Sequence, residues 1–139
     1  MENPTHSADI NLRIMIDEEI LEISVNIRPY ALTFLRKMAE IFEIVIFTAS
    51  VKSYADAILD EIDPEGTLIT HRLYRQHCHC LNENLYVKDL RILNRDLAKV
   101  VLVDNAAYSY SFQLENGIPI LPFYEGSDFE LPKLEKYLM

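Results

Sequence analysis

The sequence predicts an α/β domain, a doubly wound parallel sheet with helices on its faces and a small antiparallel β insertion. Three observations point there. Ile44–Phe47 and Val100–Val103 are apolar runs too short for buried helices and too uniform for half-exposed strands. Amphipathic helical patterns flank the first run, which is the order of strand–helix units. Between Thr67 and Val87 the pattern breaks into short β-prone pieces separated by turn formers.

In chain order, residues 1–9 read as a disordered or loop-like start and residues 10–139 as one domain, long enough to bury a core. Ile10 to Ile16 and Ile20 to Ile27 are β-prone runs on either side of Asp17-Glu18-Glu19, so a hairpin is expected over 10–27. Arg28-Pro29 ends the second run, and Pro29 is placed to open a helix. Ala31, Phe34, Leu35, Met38, Ile41 and Phe42 give that helix one apolar face. After the strand Ile44–Phe47, a second helix turns Tyr54, Ala55, Ile58, Leu59 and Ile62 inward, and Asp63-Pro64-Glu65-Gly66 stops it. An antiparallel insertion is expected over 67–87, with Asn82-Glu83-Asn84 as its turn. Val100–Val103 and Ile118–Leu121 are further strands, and Leu131 to Leu138 a terminal helix.

Composition narrows the function. Half of the 139 residues are apolar and a quarter charged, as in ordinary globular proteins. No apolar run is long enough to span a membrane, and Met1-Glu2-Asn3-Pro4 lacks the basic and apolar parts of a signal peptide. Two cysteines one residue apart, Cys78 and Cys80, suit a reduced, intracellular setting. A net charge of −9 argues against direct nucleic-acid binding. The charge is uneven, however: six Lys or Arg against three Asp or Glu give residues 71–99 a net +3. That stretch suits either an anionic group such as a phosphate or a solvated face. His77-Cys78-His79-Cys80 suggests zinc, but alternate strand residues face opposite sides and no second cysteine pair completes a tetrahedral site.

Polar residues fall where the apolar runs end. Thr48-Ala49-Ser50 follows Ile44–Phe47, Lys88 follows the insertion, and Asp104-Asn105 follows Val100–Val103. Ligands of open α/β sheets bind beyond the carboxyl ends of strands. Taken singly, Thr48 is as readily a helix cap, Lys88 an exposed lysine and Asp104-Asn105 a turn. Taken together, a hydroxyl, an ammonium and a carboxylate with an amide can hold a phosphoryl group and a hard cation.

In this order the chain resembles the small phosphatases of the RNA polymerase II C-terminal domain, the NLI-interacting-factor-like branch of the haloacid dehalogenase superfamily. The resemblance runs from about Ala8 to Leu138. It rests on Ile27-Arg28-Pro29, Phe47-Thr48-Ala49-Ser50, Tyr54-Ala55-Asp56, His71-Arg72-Leu73-Tyr74-Arg75, Tyr86-Val87-Lys88-Asp89-Leu90, Asn94-Arg95-Asp96-Leu97, Val103-Asp104-Asn105 and Asn116-Gly117-Ile118-Pro119. It implies a haloacid-dehalogenase-like fold, a Mg²⁺ cofactor and a phosphoserine or phosphothreonine protein or peptide substrate. It also implies a setting in nucleus or cytoplasm rather than mitochondrion. By resemblance Thr48, Ala49 and Lys88 bind the phosphate, Thr48, Lys88 and Asp104 serve catalysis, and Asp104 and Asn105 hold the metal. Arg72 and Arg75 are then basic groups on the substrate side.

One part of the pattern is missing. The family attacks with the first Asp of an Asp-x-Asp-x-(Thr/Val) motif on a first, central strand, and residues 1–139 contain no Asp-x-Asp. Ile14-Met15-Ile16-Asp17-Glu18-Glu19 imitates it, but Asp17 stands only 11 residues before Arg28, and the resemblance puts it at a hairpin turn. Ala106-Ala107 replaces the usual Ser-Pro, and Phe123 stands where Trp is common. The expectation is therefore a phosphatase domain cut off before its nucleophile, with little or no turnover by itself. The alternative is a catalytically dead module that binds phosphopeptides or proteins, as the family's mitochondrial import receptor binds presequences. The vacant strand position implies a truncated product, an N-terminal segment that fills the gap, or a partner that supplies a strand.

Overall fold

The computed structural model describes residues 8–139, so the loop-like start expected over 1–9 lies, up to residue 7, outside the described residues. Strands β1 (Ile10–Ile16) and β2 (Glu19–Val25) pair antiparallel, from Ile16↔Glu19 at the tip to Ile10↔Val25 at the base. Ile10, Leu12, Ile14 and Ile16 point to the face that packs on the helix Lys52–Ile62, and Ile14 is buried there. The tip is a two-residue turn, with Asp17 at φ 51° and Glu18 at φ 67°. Two positive φ angles mark a type I′ turn, which matches strand twist but favours glycine at its second position. Glu18→Gly is therefore expected to raise the unfolding free energy by about 1 kcal/mol by relieving left-handed strain. Urea unfolding checks this, and an unchanged or lower midpoint contradicts it.

Pro29 does not open helix α1 (Ala31–Ile41) directly. The Ala31 N–H donates to the Arg28 carbonyl at 3.1 Å, and Tyr30 sits at φ 69°, ψ 8°. Arg28-Pro29-Tyr30-Ala31 is thus a type II turn, with proline's fixed φ at its first central position. The Arg28 guanidinium donates to the Leu121 carbonyl, pairs with Asp128 at 3.3 Å and lies 5.7 Å from the Phe123 ring centroid. It ties the start of α1 to the segment before helix α3 (Glu130–Leu138). Helix α1 buries Met38 and packs against α3, with Lys37 and Glu135 paired at 3.3 Å on the surface.

Strand β3 (Val45–Phe47), helix α2 (Lys52–Ile62) and strand β4 (His71–Leu73) form one βαβ unit, with β3 and β4 parallel in the register Ile46↔Arg72. This corrects the expectation that the whole of 67–87 is an antiparallel insertion. The crossover is set by Asp63, whose buried carboxylate accepts the N–H groups of Thr67, Leu68 and Ile69 at 2.9–3.1 Å. These bonds hold the carboxyl of Asp63 below its ordinary pKa, against burial. They stop α2 and bring the chain back alongside β3, where the Thr70 N–H meets the Ile44 carbonyl at 2.8 Å. The antiparallel element proper is β5 (His79–Asn82) with β6 (Leu85–Val87), irregular between Cys80 and Asn82.

Strands β7 (Leu102–Asp104) and β8 (Gly117–Pro119) form a second parallel pair. Leu90, Leu102 and Tyr110 make the buried cluster beside it, joined by Leu93, Leu97 and Val100. Among the described residues no strand bonds to the remaining edges of β3 and β7, and the β1–β2 hairpin pairs only with itself. Residues 10–25 therefore do not fill the central position. In keeping with this, Val45, Ile46 and Phe47 are half-buried rather than covered on both faces.

Candidate active site

The carboxyl end of β3 turns sharply at Thr48-Ala49-Ser50. The Thr48 N–H continues the ladder to the Leu73 carbonyl at 2.9 Å, and its Oγ1 accepts the Ser50 N–H at 3.0 Å. Val51, with no side-chain cap bond, is the residue that precedes α2, so neither Thr48 nor Ser50 caps that helix. The Thr48 hydroxyl spends a lone pair on its own turn and keeps its proton to donate. Arg75 holds the turn from the other side: its N–H donates to the Ser50 carbonyl at 3.0 Å and its Nε to the Ala49 carbonyl at 2.7 Å. The guanidinium is exposed and stacks 5.2 Å from the Tyr86 ring centroid.

Lys88 leaves β6 with its N–H on the Ser109 carbonyl at 2.8 Å. Its ammonium pairs directly with Asp104 Oδ2, and the two side chains are only 13% and 7% exposed. Asp104 ends β7, and its Oδ1 accepts the Ala106 N–H at 2.9 Å. Cys78 stands between this pair and the Thr48 turn. Its thiol lies 3.7 Å from the Thr48 and Tyr74 carbonyls. Burial raises its pKa against the opposing pull of Lys88 and Arg75. The charges of Lys88, Arg75 and Asp104 all act on the Cys78 thiol, which touches the Thr48 turn, so the ends of β3 and β7 lie in one neighbourhood around Cys78. The sequence drew Cys78 only into the His77-Cys78-His79-Cys80 run weighed for zinc, and its place beside the Thr48 turn comes from the fold. The other members of the His77–Cys80 run are engaged separately: His77 Nδ1 accepts the Tyr74 N–H at 2.9 Å, and Cys80 donates to the Asn82 carbonyl at 2.7 Å.

Arg72 turns to helix α2 rather than to Cys78 and the Thr48 turn. It bonds Asp56 at 2.9 Å and Asp60 at 3.0 Å on α2, where the Tyr74 hydroxyl and Lys52 also reach Asp56. Arg72 on β4 and Tyr74 just after it both turn to Asp56, whereas Arg75 starts a short 3₁₀ turn beyond the strand. Burial would raise the pKa of Asp56, but Lys52, Tyr74 and Arg72 outweigh it and hold it at about 2, against an ordinary 3.8. A depressed folded pKa adds stability above the unfolded value and loses it as pH falls through the folded one. The cluster is expected to contribute about 1–2 kcal/mol at neutral pH, allowing for solvent screening, and to lose it between pH 4 and about 2. Asp56→Asn checks this: its deficit in urea unfolding should be full at pH 6 and shrink at pH 2.5. A deficit that stays constant with pH rules the assignment out.

The site holds half of what Mg²⁺ needs. The ion takes near-octahedral oxygen ligands, commonly one or two carboxylates with waters and substrate phosphate. Asn105 is exposed and offers an amide oxygen, but both oxygens of Asp104 are already bonded within the protein. No group of three or more His, Cys, Asp or Glu able to hold a metal exists among the described residues. As arranged, these residues do not fit the ion.

Comparison with known proteins bears on the family and the fold. The profile of the NLI interacting factor-like phosphatases matches residues 1–139. CTD small phosphatase-like protein 3 of Caenorhabditis elegans is 45% identical over 136 residues, covering 97% of this chain and 47% of that protein. The human carboxy-terminal domain RNA polymerase II polypeptide A small phosphatase 2 is 40% identical over 132 residues, covering 94% and 48%. The chain therefore spans about half the length of the curated relatives it matches. Among solved structures, a fission yeast RNA polymerase II CTD phosphatase Fcp1 variant bound to beryllium fluoride superposes with a TM-score of 0.68 at 20% identity. It covers 92% of this chain and 38% of that one. At that identity the likeness concerns the fold, which is haloacid-dehalogenase-like. With the profile matched along its whole length and relatives at 40–45% identity, this chain belongs to the NLI interacting factor-like phosphatase family.

Proposed function

We propose that residues 10–139 form the phosphate-binding part of a phosphoserine/threonine protein phosphatase domain, of the type that acts on the RNA polymerase II C-terminal domain. The observation that supports this best is the buried Lys88–Asp104 pair, linked to the Thr48 turn through the Cys78 thiol that touches the turn and feels the charge of both partners. Lys88 neutralises phosphoryl oxygens, the Thr48 hydroxyl donates to one of them, and Asp104 aims the ammonium. Arg75, exposed at the rim, meets the anionic peptide. No carboxylate in these residues suits the nucleophile, since Asp17 lies exposed in the hairpin turn. Aspartyl-phosphate chemistry, and the Mg²⁺ that goes with it, would need a further strand between β3 and β7, from more of the same polypeptide or from a partner. The setting that suits this reading is the nucleus or cytoplasm.

The purified 139-residue chain is expected to bind a phosphoserine peptide in preference to its unphosphorylated form and to release no phosphate from it. Fluorescence anisotropy and a phosphate-release assay read the two arms. Release at a rate abolished by Lys88→Ala overturns the inactive reading, and equal affinity for both peptides overturns phosphate recognition. A second reading is a binding module without catalysis, including one like a mitochondrial import receptor. The unjoined parallel pairs favour it, because an open sheet edge accepts an extended peptide as an added strand. Tight binding of unphosphorylated segments would support that reading over the first.

A further inference from the structure

Asn116 and Gly117 meet where a short 3₁₀ turn, Leu114–Asn116, runs into β8, and packing demands each residue for its own reason. Asn116 Nδ2 donates to the Leu97 carbonyl at 2.6 Å and to the Val100 carbonyl at 2.8 Å. A carboxamide offers two hydrogens from one nitrogen, and the two carbonyls use both. Gly117 is demanded by the Tyr110 ring, whose Cδ2 would stand 2.2 Å from a Cβ at that position. The fold thus enforces an Asn-Gly pair, in which no second side chain hinders the backbone nitrogen from attacking the first. We propose that Asn116-Gly117 is a deamidation site, protected while β7 and β8 are paired, whose conversion keeps them from pairing again. The Gly117 nitrogen bonds to Asn116 Cγ, the Cγ–Nδ2 bond breaks, and the displaced proton leaves with the amide as ammonia. Water then opens the resulting succinimide at either C–N bond, giving aspartate or isoaspartate.

In the closed fold neither reacting group is free. The Gly117 N–H donates to the Leu114 carbonyl, Nδ2 is held by two acceptors, and Gly117 is locked in register with Leu102. Attack therefore waits for an opening. The segment that must open is small: β8 has three residues, and among the described residues β7 is its one strand partner. Units of this size open far more often than a whole chain unfolds. Conversion then removes what held the segment shut. Aspartate at this position has no donor, so its carboxylate meets the Leu97 and Val100 carbonyls acceptor to acceptor. Isoaspartate also adds a carbon to the main chain and puts Gly117 out of register with Leu102. None of the phosphate-binding residues takes part, so this site and that reading fail separately.

The test incubates the whole chain at mildly alkaline pH, folded in buffer and unfolded in guanidinium chloride, and follows residue 116 by peptide mass spectrometry. Unfolded, Asn116 is expected to convert faster than any other asparagine of the chain. Folded, it is expected to convert about tenfold or more slowly than that. Hydrogen exchange reads the second half of the proposal. The Ile120 N–H, which bonds the Asp104 carbonyl at 3.3 Å, is expected to exchange about tenfold faster in Asn116→Asp than in wild type, beyond any change in helix α2. Equal conversion in the folded and unfolded chain overturns the proposal, as does an Ile120 N–H that exchanges no faster in Asn116→Asp. If circular dichroism shows Asn116→Asp unfolded, the two conversion rates of wild type decide.

Discussion

Asp104→Ala is expected to lower the unfolding free energy by about 3–5 kcal/mol. The loss exceeds the strength of one salt bridge because of what remains behind. Lys88 keeps its charge in a position 13% exposed, and the Ala106 N–H loses its acceptor as well. The double variant Lys88→Met/Asp104→Leu removes both charges and refills the space, and should cost far less, because apolar replacement of a buried pair is often nearly neutral. Urea unfolding of wild type, Lys88→Met, Asp104→Leu and Lys88→Met/Asp104→Leu closes a double-mutant cycle. A cost below about 1 kcal/mol for Asp104→Ala would place the pair in the range of solvent-screened surface bridges.

What could be read in the sequence was what periodicity and strand ends encode. The hairpin announced itself through two alternating runs around Asp17-Glu18-Glu19, and α1 through the spacing that ends in the burial of Met38. Thr48, Lys88 and Asp104 stood out because each interrupts or follows an apolar run. Their shared neighbourhood around Cys78 depends on the long-range contact of that thiol with the Thr48 turn and on the charges of Lys88 and Asp104 near it, which no local pattern carries. Strand β4 escaped for a related reason: three residues hold no register, and their partner was fixed by the carboxylate of Asp63 capturing the returning chain. The partners of Arg72 were not legible, because a basic residue in a basic stretch looks the same whether or not it faces two aspartates on the preceding helix.

Gly117→Val is expected to cost about 3 kcal/mol or more, and Gly117→Ala somewhat less, by overpacking. Gly117 opens β8, and its φ of −82° is open to any residue, so the demand for glycine comes from space alone. A Cβ there would stand 2.2 Å from Tyr110 Cδ2 and 2.3 Å from its Cγ. The ring cannot yield cheaply, being buried against Leu90 and Leu102. Truncating it should therefore relieve the clash: in Gly117→Val/Tyr110→Ala the two costs should fall short of additivity by about 2 kcal/mol. Additive costs, or a Gly117→Ala chain as stable as wild type, would mean that β8 or the ring shifts freely. The clash also reaches the site. Gly117 pairs with Leu102 two residues before Asp104, and Tyr110 adjoins Ser109, whose carbonyl holds the Lys88 N–H. A ring forced aside would disturb both ends of the Lys88–Asp104 pair, so Gly117→Ala should weaken phosphopeptide binding even where the chain remains folded.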